Sequence, residues 1–201
     1  MARGNGYHKE DLRGDLIRAG LAYVEENGHV SLSVRTLAQQ VGVSPGAPYH
    51  HFPDRRSLLL AVALKGFEQL MERAVAISEM SESGSGKLAK LGMSYIEFTT
   101  TRPRLAELMY ESELTTPQPD PKIQEFQAIG QKIIREAIVS ELPRSSADEV
   151  EIRAVAFWSA IYGFAALRRK QNIPFFAFDM KPDKVVRSVV SQAATIAAST
   201  H

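Results

Sequence analysis

The run Ser33-Val34-Arg35-Thr36-Leu37-Ala38-Gln39-Gln40-Val41-Gly42-Val43-Ser44-Pro45-Gly46-Ala47-Pro48-Tyr49-His50-His51-Phe52 decides the fold. Val34, Leu37, Ala38 and Val41 recur at i, i+3, i+4 and i+7, one apolar stripe of a helix, and Ser33 stands where its hydroxyl can cap the free N–H groups at the start. Gly42 follows the stripe, where a left-handed backbone ends a helix at little cost. Ser44 then reads as the N-cap of a second helix, with Pro45 at its first position, where a missing N–H is harmless. Two short helices about a tight turn make a helix-turn-helix, the unit whose second helix enters the DNA major groove.

Pro48 falls about one turn into that second helix and removes an intrahelical bond, which predicts a tight or distorted opening turn. Gly46 and Ala47 carry almost no side chain and allow close approach to a flat partner. Tyr49, His50 and His51 supply hydroxyl and imidazole donors, and Phe52 is the inward anchor. Arg55 and Arg56 follow near the expected phosphate rail. The candidate DNA-contacting residues are therefore Ser33, Arg35, Thr36, Ser44, Pro45, Gly46, Ala47, Tyr49, His50, His51 and Arg55. A helical hairpin that binds no DNA shows a comparable stripe and glycine.

Upstream, a glycine-rich polar arm over residues 1–8, with Arg3, leads into a helix from about His8 to Asn27. Leu12, Leu16, Ile17, Gly20, Leu21 and Val24 keep to one face of it and Gly28 ends it. Downstream, Asp54 caps a long helix running past Leu58, Leu59, Val62, Phe67 and Met71 to about Ser78. The polar run Ser81–Gly86 reads as a loop. Five further helices are expected: about 87–101, a short one opening at Pro103, 122–141, 146–171 and 183–199. Ser146-Ala147-Asp148-Glu149 offers the fourth of these a capping box. No alternating strand pattern and no repeat occurs, so the chain reads as all-α. Residues 1–53 form the DNA-binding unit and 54–201 a helical effector-binding and dimerisation unit.

The helix at 146–171 is apolar over much of its circumference. Val155, Trp158, Tyr162 and Ala166 define one face, and Phe157, Ile161, Phe164 and Ala165 another. Such a helix makes contacts on two sides. The second face, joined by Val186, Val189, Val190 and Ala193 of the last helix, is expected to pair with a second copy in a four-helix interface; an ordinary core helix is the alternative. Phe67, Met71, Tyr95, Phe98, Met109, Tyr110, Phe126, Trp158 and Tyr162 supply aromatic and thioether walls suited to an apolar or aromatic small molecule. Core packing accounts for the same residues. Phe175, Phe176 and Phe178 precede the last helix, where they could seal the pocket or the dimer.

Composition sets the outer bounds. At 201 residues and 44% hydrophobic content the chain can bury a sizeable core, and with no cysteine it has no disulfide framework or thiolate site. No apolar run reads as long enough to span a bilayer and no signal segment opens the chain, so a cytoplasmic location is expected. The formal charge is +1, and residues 1–56 hold seven Lys/Arg against six Asp/Glu. That balance argues against nonspecific DNA binding, which depends on phosphate neutralisation. Four of the five histidines lie in the first 51 residues, where partial protonation adds positive charge. No paired metal-ligand histidines at i, i+4, no Gly-x-Ser-x-Gly elbow and no dinucleotide fingerprint occur, so no cofactor, metal or enzyme activity is expected.

From Asp15 to Leu60 the chain resembles the DNA-binding domain of the TetR family of bacterial transcription regulators. The resemblance rests on Leu16-Ile17-Arg18-Ala19-Gly20-Leu21 through Gly28, on Leu37-Ala38 through Gly42-Val43-Ser44, and on Tyr49-His50-His51-Phe52-Pro53 with Leu58-Leu59 behind it. Arg55 stands where the family commonly has lysine, and Ala47 and Pro48 depart from its commonest recognition helix. Trp158-Ser159-Ala160-Ile161-Tyr162-Gly163 is similar, more loosely, to the subgroup known for a Trp-His-Gly signature, with Tyr162 in place of the histidine. The resemblance implies a homodimer on a near-palindromic double-stranded operator, most often as a repressor, released by a small-molecule effector. The residues by themselves leave open an all-helical ligand-binding protein or enzyme without DNA binding.

Overall fold

Local hydrogen bonds set most helix ends in the computed structural model, which describes residues 11–171 and 182–199. Helix α1 (Leu12–Asn27) starts where the Asp11 carboxylate accepts the Gly14 N–H at 2.9 Å, a few residues later than the expected start. The amino-terminal arm with Arg3, and Phe175, Phe176 and Phe178, lie outside the described residues. Helix α2 (Val34–Val41) is capped by Ser33, whose hydroxyl accepts the Thr36 N–H at 3.0 Å. Gly42 ends it at φ 75°, letting the Val43 N–H reach back to the Ala38 carbonyl at 3.0 Å. Helix α3 (Arg55–Ser78) opens on a reciprocal capping box between Asp54 and Ser57.

The second helix of the expected pair is shorter than its sequence suggests and starts later. It is a single 3-10 turn over Ala47–His50 preceded by Gly46, not a helix opened by Ser44 and Pro45. The Ser44 carbonyl accepts from the Ala47 N–H at 3.1 Å; its α-helical donor would be Pro48, which has no N–H. The tighter register continues, with Tyr49 N–H on the Gly46 carbonyl at 3.3 Å and His51 N–H on that of Pro48 at 2.9 Å.

Helices α4 (Gly84–Thr101), α5 (Pro103–Tyr110), α6 (Pro121–Glu141), α7 (Ala147–Arg169) and α8 (Pro182–Ala198) complete the fold, and all regular structure among the described residues is helical. Helix α4 begins three residues inside the expected loop. Ser83 caps it through the Gly86 N–H at 3.1 Å, and Glu141 at the end of α6 accepts the Ser85 N–H at 3.0 Å. With its first-turn donors occupied, the Ser-Gly sequence holds a helix despite its poor propensity. Helix α4 then packs against α3, α5, α6, α7 and α8.

Helix α7 corrects two expectations. By length and composition it could be taken for a membrane-crossing helix, contrary to the absence read from sequence, yet Val150, Ala154, Phe157, Ile161 and Ala165 are buried in the core. The last three of these, expected at the dimer face, are thus in the core, and Val186, Val190 and Ala193 of the same expected face are buried too; Phe164 and Val189 are half-buried. The outward stripe is instead Ile152, Val155 and Leu167 on α7 with Ile196 on α8, exposed by 68, 57, 40 and 62%. Buried Arg153 binds the two helices together: its guanidinium donates to the carbonyls of Ile196 at 3.0 Å and Ser199 at 2.9 Å, while Glu149 accepts from its Nε at 3.0 Å. An arginine there satisfies carbonyls at the end of α8 that the helix itself leaves open.

The head formed by α1, α2 and the start of α3 closes over Gly20. A Cβ at that position would stand 2.8 Å from Val62 Cγ2 and 3.3 Å from Leu37 Cδ1, so α1, α2 and α3 meet where only hydrogen fits. Gly20→Val is expected to lower stability by about 1–3 kcal/mol through overpacking, measured as a shift of the denaturant midpoint; an unshifted midpoint would show that the crossing can relax.

Candidate functional site

The head exposes most of the residues expected to contact DNA. Arg35 on α2, Ser44, Pro45 and Gly46 in the turn, and Tyr49, His50 and His51 at the 3-10 turn are all exposed, Tyr49 by 50%. Phe52, only 2% exposed, is the inward anchor, with the Arg13 guanidinium 5.7 Å from its ring centroid. Buried Pro48 fastens the 3-10 turn to the head, while Ala47, Ser33 and Thr36 are half-buried. The hydroxyls of Ser33 and Thr36 lie 2.7 Å apart within the cap of α2. The sequence-predicted contact residues are thus exposed or half-buried, and one is an exception in what its side chain binds.

That exception is Arg55. Its guanidinium donates to the carbonyls of Leu32 at 2.9 Å, His29 at 2.7 Å and Val30 at 3.0 Å, and pairs with the Glu113 carboxylate. The group expected on a phosphate is engaged inside the protein, holding the turn between α1 and α2 to the connection between α5 and α6. Neighbouring Arg56 is turned the same way, donating to the Glu113 carbonyl at 2.7 Å and the Asp120 carboxylate at 3.3 Å. Buried His29 places Nε2 3.9 Å from Glu113, and its Nδ1 has no partner among the described residues. Burial pushes the Glu113 carboxyl up, but its own backbone N–H, the Arg55 hydrogen bond and the charges of Arg55 and His29 hold it below the usual carboxylate range. None of this was legible in sequence, since Arg55 and Glu113 stand 58 residues apart.

Below the strap formed by residues 111–120 lies a cavity of about 350 Å³. Seven of the nine expected pocket residues line it: Phe67, Met71, Tyr95, Tyr110, Phe126, Trp158 and Tyr162. Phe98 and Met109 do not. Phe98 is buried with the Arg102 guanidinium 5.8 Å from its ring, and Met109 packs against Gly66, where a Cβ would lie 2.6 Å from its sulfur. Phe157 and Ile161, expected at the dimer face, line the cavity instead. Ser94, Thr115, Gln127 and Gln131 add the polar lining that an aromatic inventory overlooks; Gln127 and Gln131, at i, i+4 on one face of α6, were its only sequence signal.

Two consequences of the Arg55 clip can be measured. Arg55→Ala is expected to cost about 2 kcal/mol, because charge-assisted hydrogen bonds are lost and carbonyls are left open. DNA affinity should fall with it, while the slope of log affinity against log salt stays unchanged, since no phosphate contact is removed; a shallower slope would return Arg55 to the phosphates. Because the Glu113 carboxyl is held low in the folded protein, its contribution is complete above the ordinary glutamate value near pH ~4.3 and disappears as pH falls through the folded value. Glu113→Gln should flatten that acid limb in denaturation series below about pH 5, and an unaltered limb would remove Glu113 from the linkage.

Comparison with known proteins agrees with this arrangement. The family model "Bacterial regulatory proteins, tetR family" matches residues 16–62, and "Tetracyclin repressor-like, C-terminal domain" matches residues 88–193, over half of the chain. The transcriptional regulator CymR of Pseudomonas putida is 38% identical over 66 residues, a match covering 33% of this chain and 32% of CymR. The transcriptional repressor AcnR of Corynebacterium diphtheriae is 23% identical over 137 residues, 67% of this chain and 65% of that one. The matches to these curated relatives thus span from about a third to just under two thirds of their length. A solved structure of a protein of unknown function from Rhodococcus sp. RHA1 superposes with a TM-score of 0.77 at 26% identity, covering 96% of each chain. With a helix-turn-helix head and a matching carboxy-terminal helical body, the chain belongs to the TetR family of bacterial regulatory proteins.

Proposed function

We propose that this chain is a cytoplasmic repressor of transcription that binds a near-palindromic double-stranded operator as a homodimer and leaves it when a small apolar or aromatic effector enters the cavity. The observation that carries this reading is the strap over residues 111–120. Thr115 and Pro119 line the cavity, while Glu113 and Asp120, in the same segment, hold Arg55 and Arg56 at the base of the head. A molecule that shifts the strap by occupying the cavity therefore acts directly on the residues that fix the head's tilt. Such coupling requires that the effector prefer one head geometry over the other.

The homodimer draws its support from the exposed stripe of α7. Ile152, Val155 and Leu167 flank Ala156, Ser159, Ala160 and Gly163, and a Cβ on Gly163 would meet nothing within 4 Å. Small residues between larger apolar ones allow two helices related by a two-fold axis to approach closely. In this reading Phe164 and Val189 stay at the edge of the interface, and Phe157, Ile161 and Ala165 support it from within. Two heads held by such a pair address successive major grooves, spaced roughly one helical turn, ~34 Å, or modestly more.

Selection of bound genomic fragments, followed by gel shift, is the test. A single near-palindromic site class is expected, with base preference altered by Gly46→Ser or His50→Ala; fragments bound without sequence preference would refute the reading. Ala160→Glu should yield monomers in sedimentation and reduce operator affinity at least tenfold, because a charge would be buried without a partner. In a reporter assay the protein should lower expression from its operator.

A further inference from the structure

Helix α6 carries one inward row of residues, Ile123, Gln127, Gly130, Ile134 and Ala137, spaced by four and three positions. Ile123, Ile134 and Ala137 are buried, and a Cβ on Gly130 would meet only Met71, at 3.7 Å, so the row leaves room at its middle. Gln127 is its polar member. It lines the cavity, is half-buried, and its amide has no hydrogen-bond partner among the described residues. An amide on the inward face loses water when the cavity fills, and then needs partners from whatever fills it.

Other polar groups of the lining offer less. The Tyr95 hydroxyl is sealed within the wall. Thr115 spends its hydroxyl on the Ser112 carbonyl at 3.0 Å, and Gln131 is exposed and accepts from Arg135 at 3.4 Å. Ser94, Tyr110 and Tyr162 each bring a single hydroxyl. Among the described lining residues, Gln127 alone sets a free donor and a free acceptor side by side on one planar group.

Charge narrows the occupant further. The described residues lining the cavity include no Asp, Glu, Lys, Arg or His. Burial pushes the phenols of Tyr95, Tyr110 and Tyr162 up, so they keep their protons. Outside the lining, Arg169 and Lys170 face Glu111, and Arg135 faces Glu151. An ion that entered would shed its water and meet no counter-charge in the wall. Rings supply the rest of the surface: Trp158 stands 4.8 Å from Tyr95 and Tyr110 5.9 Å from Tyr162, centroid to centroid, which suits an aromatic body.

We infer that the cavity takes an uncharged aromatic carboxamide or lactam, whose amide pairs with the side-chain amide of Gln127 through two parallel N–H···O bonds. This rests on the reading of the cavity as the effector site and gives that effector a chemistry. A ketone or ether meets one half of the Gln127 group and leaves the other open, whereas an amide with its N–H and C=O on one side meets both. A volume of about 350 Å³ suits a molecule of two rings.

Four probes of nearly one shape test it on the full chain: biphenyl-4-carboxamide, the methyl ketone 4-acetylbiphenyl, biphenyl-4-carboxylate and the cation biphenyl-4-carboxamidine. Binding is read from the fluorescence of Trp158, the single tryptophan, and from calorimetry. The carboxamide should bind about tenfold more tightly than each of the others. Gln127→Leu, with its helicity checked by circular dichroism, should bring carboxamide and ketone to equal affinity, and Gln127→Glu should move the preference to the carboxamidine. A carboxamide no tighter than the ketone, tightest binding of either ion by the unaltered chain, a preference that survives Gln127→Leu, or no gain for the carboxamidine in Gln127→Glu would overturn the proposal while leaving an effector cavity intact. If no probe binds, the effector-cavity reading falls and the inference falls with it. Should a variant lose its helicity, the ranking of the four probes on the unaltered chain decides alone.

Discussion

The guanidinium of Arg55 is the constraint on which the working parts depend. It is the first residue of α3, the helix shared by the head and the body, and from that position it holds carbonyls of the 29–32 turn and the carboxylate of Glu113 at once. The Asp54–Ser57 capping box fixes the backbone at the same point. A planar group with several donors in a fixed fork transmits orientation as well as attraction, which a lysine ammonium does less well. Tilt of the head and position of the strap are therefore referred to one rigid helix start.

Beneath it, the body is built around one central helix. Helix α4 touches five other helices and defines the core. Arg153 ties α8 to α7, and the exposed Ile152, Val155, Leu167 and Ile196 lie on the two helices so joined. The strap is a connection without a helix of its own, tied to the start of α3 by Arg55 and Arg56 and internally by Ser112, whose hydroxyl accepts the Leu114 N–H at 3.2 Å.

Sequence pattern reached the features that are local. Ser33, Gly42, Asp54 and Ser146 end or begin helices through bonds to residues a few positions away, and those positions were legible. Pro48 announced a distorted turn, but its length followed from Ser44 accepting from Ala47, a choice between two registers that the sequence states only through the missing N–H. Ser83 was hidden inside a Ser-Gly run, because the partner that completes the start of α4 is Glu141, 56 residues on. On α7 both faces read from sequence turn largely inward, Trp158 and Tyr162 together with Phe157 and Ile161 lining the cavity, while Ile152 and Leu167 of the outward stripe lay on neither.

The sequence by itself determined an all-helical chain with a helix-turn-helix head, the exposed positions 44–46 and 49–51, the inward Phe52 and most of the rings around the cavity, because spacing and capping act within one or two turns. Only the tertiary structure decided that the Arg55 guanidinium binds carbonyls of the 29–32 turn and Glu113, that Phe157 and Ile161 line the cavity, and that the Tyr95 hydroxyl has no hydrogen-bond partner among the described residues. Each of those outcomes depends on a partner, or its absence, contributed by a segment tens of residues away. A side chain's chemistry is written at its own position, while its environment is set by which distant helices close over it.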